Sequence, residues 1–197
     1  MNLKEILGAI ATVIALISYI PYIRDILSDK TKPHVFTWLI WGTLTLIGFL
    51  GQLSGNAGPG AWPSGLTTIL CFLIFVLALK KGSKNIVALD VLMLLGAIAS
   101  LFLWFFVKQP TLAIILVVMT DAMGFVPTVR KSWHKPQEET LSAFVLSAIK
   151  HFISLFAIRS YSLITTLYPA YLVIANILFI SLLVSRRKAL ITSQTSG

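Results

Sequence analysis

The sequence is short of charge, of acid and of cysteine. Charged residues make up 12% of its 197 positions, about half the share of a soluble domain. Beside 57% hydrophobic residues and a mean hydropathy of +0.89, that deficit excludes an ordinary water-soluble globule. It also excludes disorder and coiled coil, which need charge or heptads, and collagen, which needs a glycine period. A single cysteine, Cys71, excludes a disulfide framework and a cysteine-held zinc or iron–sulfur centre. Acids number 7 against 16 Lys and Arg, for a net charge of +9. On a soluble chain this excess would suggest nucleic acid; on so apolar a chain it needs another origin.

What is present is long runs without charge. Eighteen uncharged residues separate Glu5 from Arg24, and 47 separate Lys32 from Lys80. The second run is broken by Gly55-Asn56-Ala57-Gly58-Pro59-Gly60, which punctuates two helices. Further runs reach from Val91 to Val107 and from Ser160 to Ser185, and two more are interrupted once each, by Asp121 and by Lys150. These runs predict membrane spans over 5–27, 35–54, 61–80, 86–107, 110–130, 138–158 and 161–185. Lipid offers backbone polar groups no partner, so each span is expected to be a helix. Alternation of apolar and polar residues is absent, which argues against a barrel. No cleavable leader is expected, because the first span runs into Tyr22-Ile23-Arg24-Asp25 rather than a small-residue site.

The basic residues then fall into place. With the N-terminus outside, one side of the membrane carries Arg24, Lys30, Lys32, Lys80, Lys81, Lys84, Arg130, Lys131, Lys135, Arg186, Arg187 and Lys188. The other side carries Lys4, Lys108 and Arg159. Twelve against three is a strong positive-inside bias, and it predicts an outside N-terminus and an inside C-terminus. The net charge becomes a matter of topology and anionic lipid, and nucleic acid is not an expected partner.

The chain also repeats itself. Tyr19-Ile20-Pro21-Tyr22-Ile23-Arg24 is echoed by Phe125-Val126-Pro127-Thr128-Val129-Arg130. Lys32-Pro33 with Thr37 is echoed by Lys135-Pro136 with Thr140, and Trp62-Pro63-Ser64 by Tyr168-Pro169-Ala170. Pro21 and Pro127 are 106 residues apart, as are Pro63 and Pro169. The expected organisation is a three-helix repeat over 1–84, a linker helix over 85–108, a second repeat over 109–188 and a disordered tail over 189–197. An odd linker gives both triplets the same orientation, an arrangement used by transporters whose halves rock about a central site.

At these residues the sequence resembles the PQ-loop superfamily, which includes the SWEET sugar transporters, the cystinosin-type exporters and the KDEL receptors. It is similar to a divergent, bacterial member of that group. The resemblance implies an all-α, polytopic protein of seven transmembrane helices in a 3+1+3 parallel repeat, set in a bacterial cytoplasmic membrane. The glutamine that follows the family's proline is replaced by Tyr22 in the first copy and Thr128 in the second. Asp121-Ala122-Met123-Gly124, just before Pro127, is similar to the aspartate–glycine pattern of proton-coupled members, which implies a coupling role for Asp121. Asn176 looks like the asparagine that SWEETs carry in the third helix of a repeat.

The residues point the same way. Asp121 lies about 13 Å from the inner end of its span, Lys150 about 17 Å and Asn176 about 13 Å, at 1.5 Å per residue. A carboxylate at that depth is costly and marks a functional site by default. Lys150 at a similar depth suggests an Asp121–Lys150 pair that ties two helices together, that lies in the solute site, or that does both. The counterpart of Asn176, 106 residues earlier, is Leu70, so polar lining is expected from the second half alone. His151 follows Lys150 about 100° round the helix. Asp90, Glu138 and Glu139 read as helix-start acids. Trp38, Trp41, Trp62 and Trp104 read as interfacial aromatics, with Trp41 deep enough to line a cavity.

Enzyme chemistry lacks its parts: no Ser–His pair with a nucleophile motif, no second acid level with Asp121, no cluster of metal ligands and no lysine in the last span. No cofactor is implied. The expected function is transport of a small polar or zwitterionic solute by alternating access, coupled to protons through Asp121. Lys150, Asn176 and Trp41 would shape the site, and Pro21, Pro127, Pro63 and Pro169 would serve as hinges. The partners are the solute, the bilayer and a second copy of the chain. The alternative is a membrane receptor or scaffold of the same fold that transports nothing.

Overall fold

The computed structural model describes residues 1–29, 33–82, 87–134, 136–139 and 141–195, without the side chains of Pro127, Arg130, Lys131, Glu138 and 190–195. Seven long helices follow in order: α1 (Leu3–Leu27), α2 (Val35–Ser54), α3 (Trp62–Lys81), α4 (Ala88–Phe105), α5 (Pro110–His134), α6 (Leu141–Ala157) and α7 (Leu163–Thr195). Two 3₁₀ turns, Gly58–Ala61 and Pro136–Glu138, precede α3 and α6. Among the described residues there is no strand.

Local chemistry sets the ends. Asn2 caps α1 by accepting from the Glu5 N–H at 2.9 Å, and Glu5 accepts in return from the Asn2 N–H at 3.1 Å. Ser162 and Thr165 exchange side-chain and backbone hydrogen bonds in the same way at the head of α7. Asp90 accepts from the Val87 N–H at 2.9 Å and stands 3.9 Å from His34 Nε2, so this acid both starts α4 and meets α2. Asn56 and Gly58 take positive φ values of 58° and 61°, which turn the chain from α2 into α3.

Five segments are long and apolar enough to cross a membrane by length and composition: α1, α2, the Gly58–Lys81 run, α4 and Leu163–Ala189 of α7. The apolar stretches Pro110–Val126 and Leu141–Ala157 are shorter; 17 residues of helix span about 26 Å. Large apolar side chains face outward on every side of the bundle. They include Ile10, Ile17, Ile69, Val76, Leu95, Phe102, Met119, Phe152 and Leu178. Soluble monomers rarely expose so much apolar surface, and with the long apolar helices it is the surface of an integral membrane protein.

Within lipid, close packing rather than hydrophobic transfer holds helices together, and small residues permit it. Ala11, Ala15, Ala57, Ala61, Ala97, Ala113 and Ala157 are all fully buried. Gly8, Ala11 and Ala15 form the buried face of α1, while Ile6, Ile10, Val13 and Ile17 of the same helix are exposed. The main core joins Ile40, Leu44 and Ile47 of α2 to Met93 and Ala97 of α4, to Ala113, Ile114 and Val117 of α5, and to Tyr168 of α7.

The neighbours of each helix follow a regular scheme. In the first three helices α3 touches both α1 and α2; in the last three α7 touches both α5 and α6. Between these groups α1 meets α6 and α2 meets α5, while α3 meets α6 and α2 meets α7. Helix α4 lies against α5 and α2.

The helices alternate in direction. Lys81 at the foot of α3 pairs with Asp29 beyond α1 at 2.9 Å, and Arg186 and Arg187 of α7 donate to the carbonyls of Trp133 and Pro136. That end, the basic end, gathers Arg24, Lys80, Lys81, Arg186, Arg187 and Lys188. Lys30, Lys32, Lys84 and Lys135 lie outside the described residues. The opposite end holds Lys4 and Arg159, which meet there.

Some boundaries differ from those the sequence suggests. Helix α6 starts at Leu141 after a 3₁₀ turn, so Glu139 precedes its first turn instead of lying in it. Helix α7 continues to Thr195 through its basic cluster and into the segment expected to be disordered. Trp38 is buried and stacks edge-on against Trp41 with ring centroids 5.4 Å apart, so this pair serves the interior and not a lipid interface. Trp62, 43% exposed, does face outward.

Candidate functional site

A cavity of about 550 Å³ lies between the two groups of three helices. Its rim, near the basic end, is formed by Tyr22 of α1, Glu139 ahead of α6 and Ala143 of α6, all partly or fully exposed. Deeper in, the walls carry Trp41, Thr45, Thr67, Cys71, Asp121, Lys150, His151, Tyr168 and Asn176. The four predicted solute residues, Asp121, Lys150, Asn176 and Trp41, therefore line one space, although they come from four different helices.

Each is placed by a simple device. Asp121 sits midway along α5, 4% exposed, with no hydrogen-bond partner for Oδ2. Lys150, 3% exposed, crosses from α6 to the first half, where its ammonium donates to Thr67 Oγ1 at 3.1 Å and lies 5.3 Å from the Tyr19 ring centre. Asn176 is fixed by donating from Nδ2 to the carbonyl of Leu172 one turn back, at 2.6 Å. Trp41 packs on Trp38, which in turn rests on Tyr19 and Tyr22.

Two expectations change here. Asp121 and Lys150 do not pair: both are described, and no ion pair within 4 Å joins them. The reason is topological. Helix α7 touches both α5 and α6, while among the described residues no close backbone contact joins these two, and Lys150 is drawn toward Thr67 and Tyr19. Nor is the polar lining confined to the second half, because Ser18, Tyr19, Thr45 and Thr67 all contribute. Among residues that had no strong signal in the sequence, His151 lines the cavity with Nδ1 unpartnered, and Tyr171 sets a buried hydroxyl beside the Asp121 carboxylate. Among the described residues no three His, Cys, Asp or Glu side chains are placed to hold a metal ion.

The prolines divide. Pro21 lies inside α1 and Pro169 inside α7, where each removes a backbone hydrogen bond. Pro63 stands in the first turn of α3, where the missing N–H has no helical partner to lose. It nevertheless lies within the longer run that begins with the 3₁₀ turn at Gly58. Pro127 falls within α5, and its side chain lies outside the described residues.

At the end opposite the rim the two groups of helices are in direct contact. Lys4 Nζ donates to the Ile158 carbonyl at 2.7 Å, Arg159 pairs with Glu5 at 3.0 Å, and the Arg159 N–H donates to the Ala57 carbonyl at 2.9 Å. Close backbone approach permits this. A Cβ built on Gly60 would lie 2.6 Å from Ile158 Cγ1 and 2.9 Å from its backbone nitrogen, and a Cβ on Gly48 would strike the Tyr168 ring. The cavity is therefore shut at one end by glycine-mediated contact and reaches the surface at the other.

Compared with known proteins, the chain matches no family model, no curated protein and no solved structure.

Proposed function

We propose that the chain is an integral membrane transporter of a small polar or zwitterionic solute, working by alternating access. The observation that carries this reading is the cavity between the two helix groups, closed at one end, reaching the surface at the other, and lined at mid-depth by buried ionisable side chains. Charged groups at such depth are rare in membrane proteins and mark solute or ion paths.

The reading includes seven spans, a 3+1+3 parallel repeat, and a cytoplasmic basic end. The contact scheme supports the repeat. Exchanging α1 with α5, α2 with α6 and α3 with α7 turns every contact among these six helices into another one present: α1·α6 becomes α5·α2, and α3·α6 becomes α7·α2. Two halves related in this way can rock about the cavity, and α4 rides with α5. The matched proline motifs support the same division. Asp121 then serves as the group that takes a proton or a cationic moiety, since it is buried, faces the cavity and has no ion pair among the described residues. A bacterial cytoplasmic membrane suits the basic face.

The test is solute flux. Purified protein in proteoliposomes should exchange labelled solutes across the bilayer and respond to an imposed pH gradient. Binding of a solute without any flux would favour a receptor or scaffold of the same fold.

The closing contact offers a second measurement. Arg159 and Glu5 are 53% and 28% exposed, so their pair is worth about 1 kcal/mol or less. Arg159→Ala should raise the population open at that end by up to about fivefold. Cys71, the sole cysteine and part of the cavity wall, reports it: a membrane-impermeant thiol reagent applied from the far side should label Cys71 faster in the variant. An unchanged rate would show that this pair does not hold the end shut.

A further inference from the structure

We infer that the cavity takes a zwitterion whose ammonium and carboxylate are separated by several carbons, with the ammonium at Asp121 and the carboxylate at Lys150. The inference rests on the transport reading for its biological sense, but the binding site is argued independently of flux.

Opposite charges line one cavity and remain unpaired with each other. Asp121 has the neutral Tyr171 hydroxyl beside it and no bond at Oδ2, and the described contacts of Lys150 are a threonine hydroxyl and an aromatic ring, so neither residue is neutralised by a full charge. Burying an unpaired charge costs several kcal/mol, and breaking such compensation costs more than its formation gains. A ligand that offers one charge relieves one residue and leaves the other exposed to that cost. A neutral polyol relieves neither. A single ligand carrying both signs relieves both.

The spacing follows from the helix order. Among the described residues no close backbone contact joins α5 to α6, and α7 stands against both. Asp121 and Lys150 stand on the two flanking helices with the central helix between them, so a ligand that meets both must span that separation. A chain of methylenes between the charged ends does so, whereas the two charged groups of an α-amino acid share one carbon and reach less far. Leu172 and Asn176, both in the cavity wall and one turn apart, offer an apolar and a polar contact on the helix that stands against both α5 and α6.

The experiment uses the full chain in detergent. Binding of 6-aminohexanoate, hexanoate, hexylamine, glycine and glucose is measured by calorimetry and by thermal shift. The wild-type protein should bind 6-aminohexanoate at least tenfold more tightly than any of the other four. In Asp121→Asn its affinity should fall to that of hexanoate, and in Lys150→Gln to that of hexylamine. Glycine or glucose binding as tightly as 6-aminohexanoate overturns the proposal, and the comparison of ligands on the wild type does so without relying on either variant folding. Binding of 6-aminohexanoate without flux in proteoliposomes would leave the site standing and remove the transport reading. Flux of a neutral solute without 6-aminohexanoate binding would do the reverse.

Discussion

Asp121→Asn should abolish solute accumulation driven by a pH gradient, with a loss of at least tenfold, while the protein still folds. The carboxylate sits midway along α5 with 4% exposure, the neutral Tyr171 hydroxyl beside it and no hydrogen bond at Oδ2, so it has no ion pair to lose. Removing a buried charge that has no ion partner relieves a desolvation cost. The variant should therefore melt at the same temperature as the wild type or higher. A side chain that holds the fold together would behave in the opposite way. Flux assays with and without the gradient, beside a thermal melt, separate the two. Unchanged accumulation with an unchanged pH profile would remove Asp121 from the coupling step.

Gly60→Val should have a comparably large effect through a different route. The new Cβ would meet not only the Ile158 side chain but its backbone nitrogen, 2.9 Å away, and a backbone inside a helix-end contact cannot turn aside as a side chain can. The 3₁₀ turn at Gly58–Ala61 and the end of α6 must separate, and the contacts of Lys4 and Arg159 with them. Overpacking at such a site costs about 1–3 kcal/mol. We expect the far end to stay open, net flux to fall at least tenfold, and Cys71 to become reactive from that side. Wild-type flux together with wild-type labelling would show that closure does not depend on this approach.

How much of this was legible in the sequence is decided by which coordinate a residue reveals. Counting residues from a charged loop gives depth, and depth brought Asp121, Lys150 and Asn176 to one layer. Depth says nothing about rotation around each helix. That is why an ion pair between Asp121 and Lys150 was a fair expectation, although their helices are held apart by α7. Apolar runs located all seven helices because the absence of charge is a collective signal. Single hydroxyls are not. Thr45 returns a hydrogen bond to the Trp41 carbonyl at 2.8 Å, which lets it pass as an ordinary span residue while its helix faces the cavity. The buried stripe of Gly8, Ala11 and Ala15 was equally silent, since small residues count as apolar wherever they occur. Trp38 misled because an aromatic near a helix end fits both an interface and a stacked interior, and only its neighbours distinguish them.

The contact of the two helix groups at one end, and their separation by the cavity at the other, has a mechanical consequence. Parting Glu5 from Arg159 and Gly60 from Ile158 would enlarge the cross-section of the bundle in one leaflet, while closing the rim at Tyr22 and Glu139 would shrink it in the other. Work against lateral pressure would therefore enter the equilibrium with opposite signs on the two sides. A bilayer with unequal leaflets would act on this protein as a load, biasing its position before any solute binds.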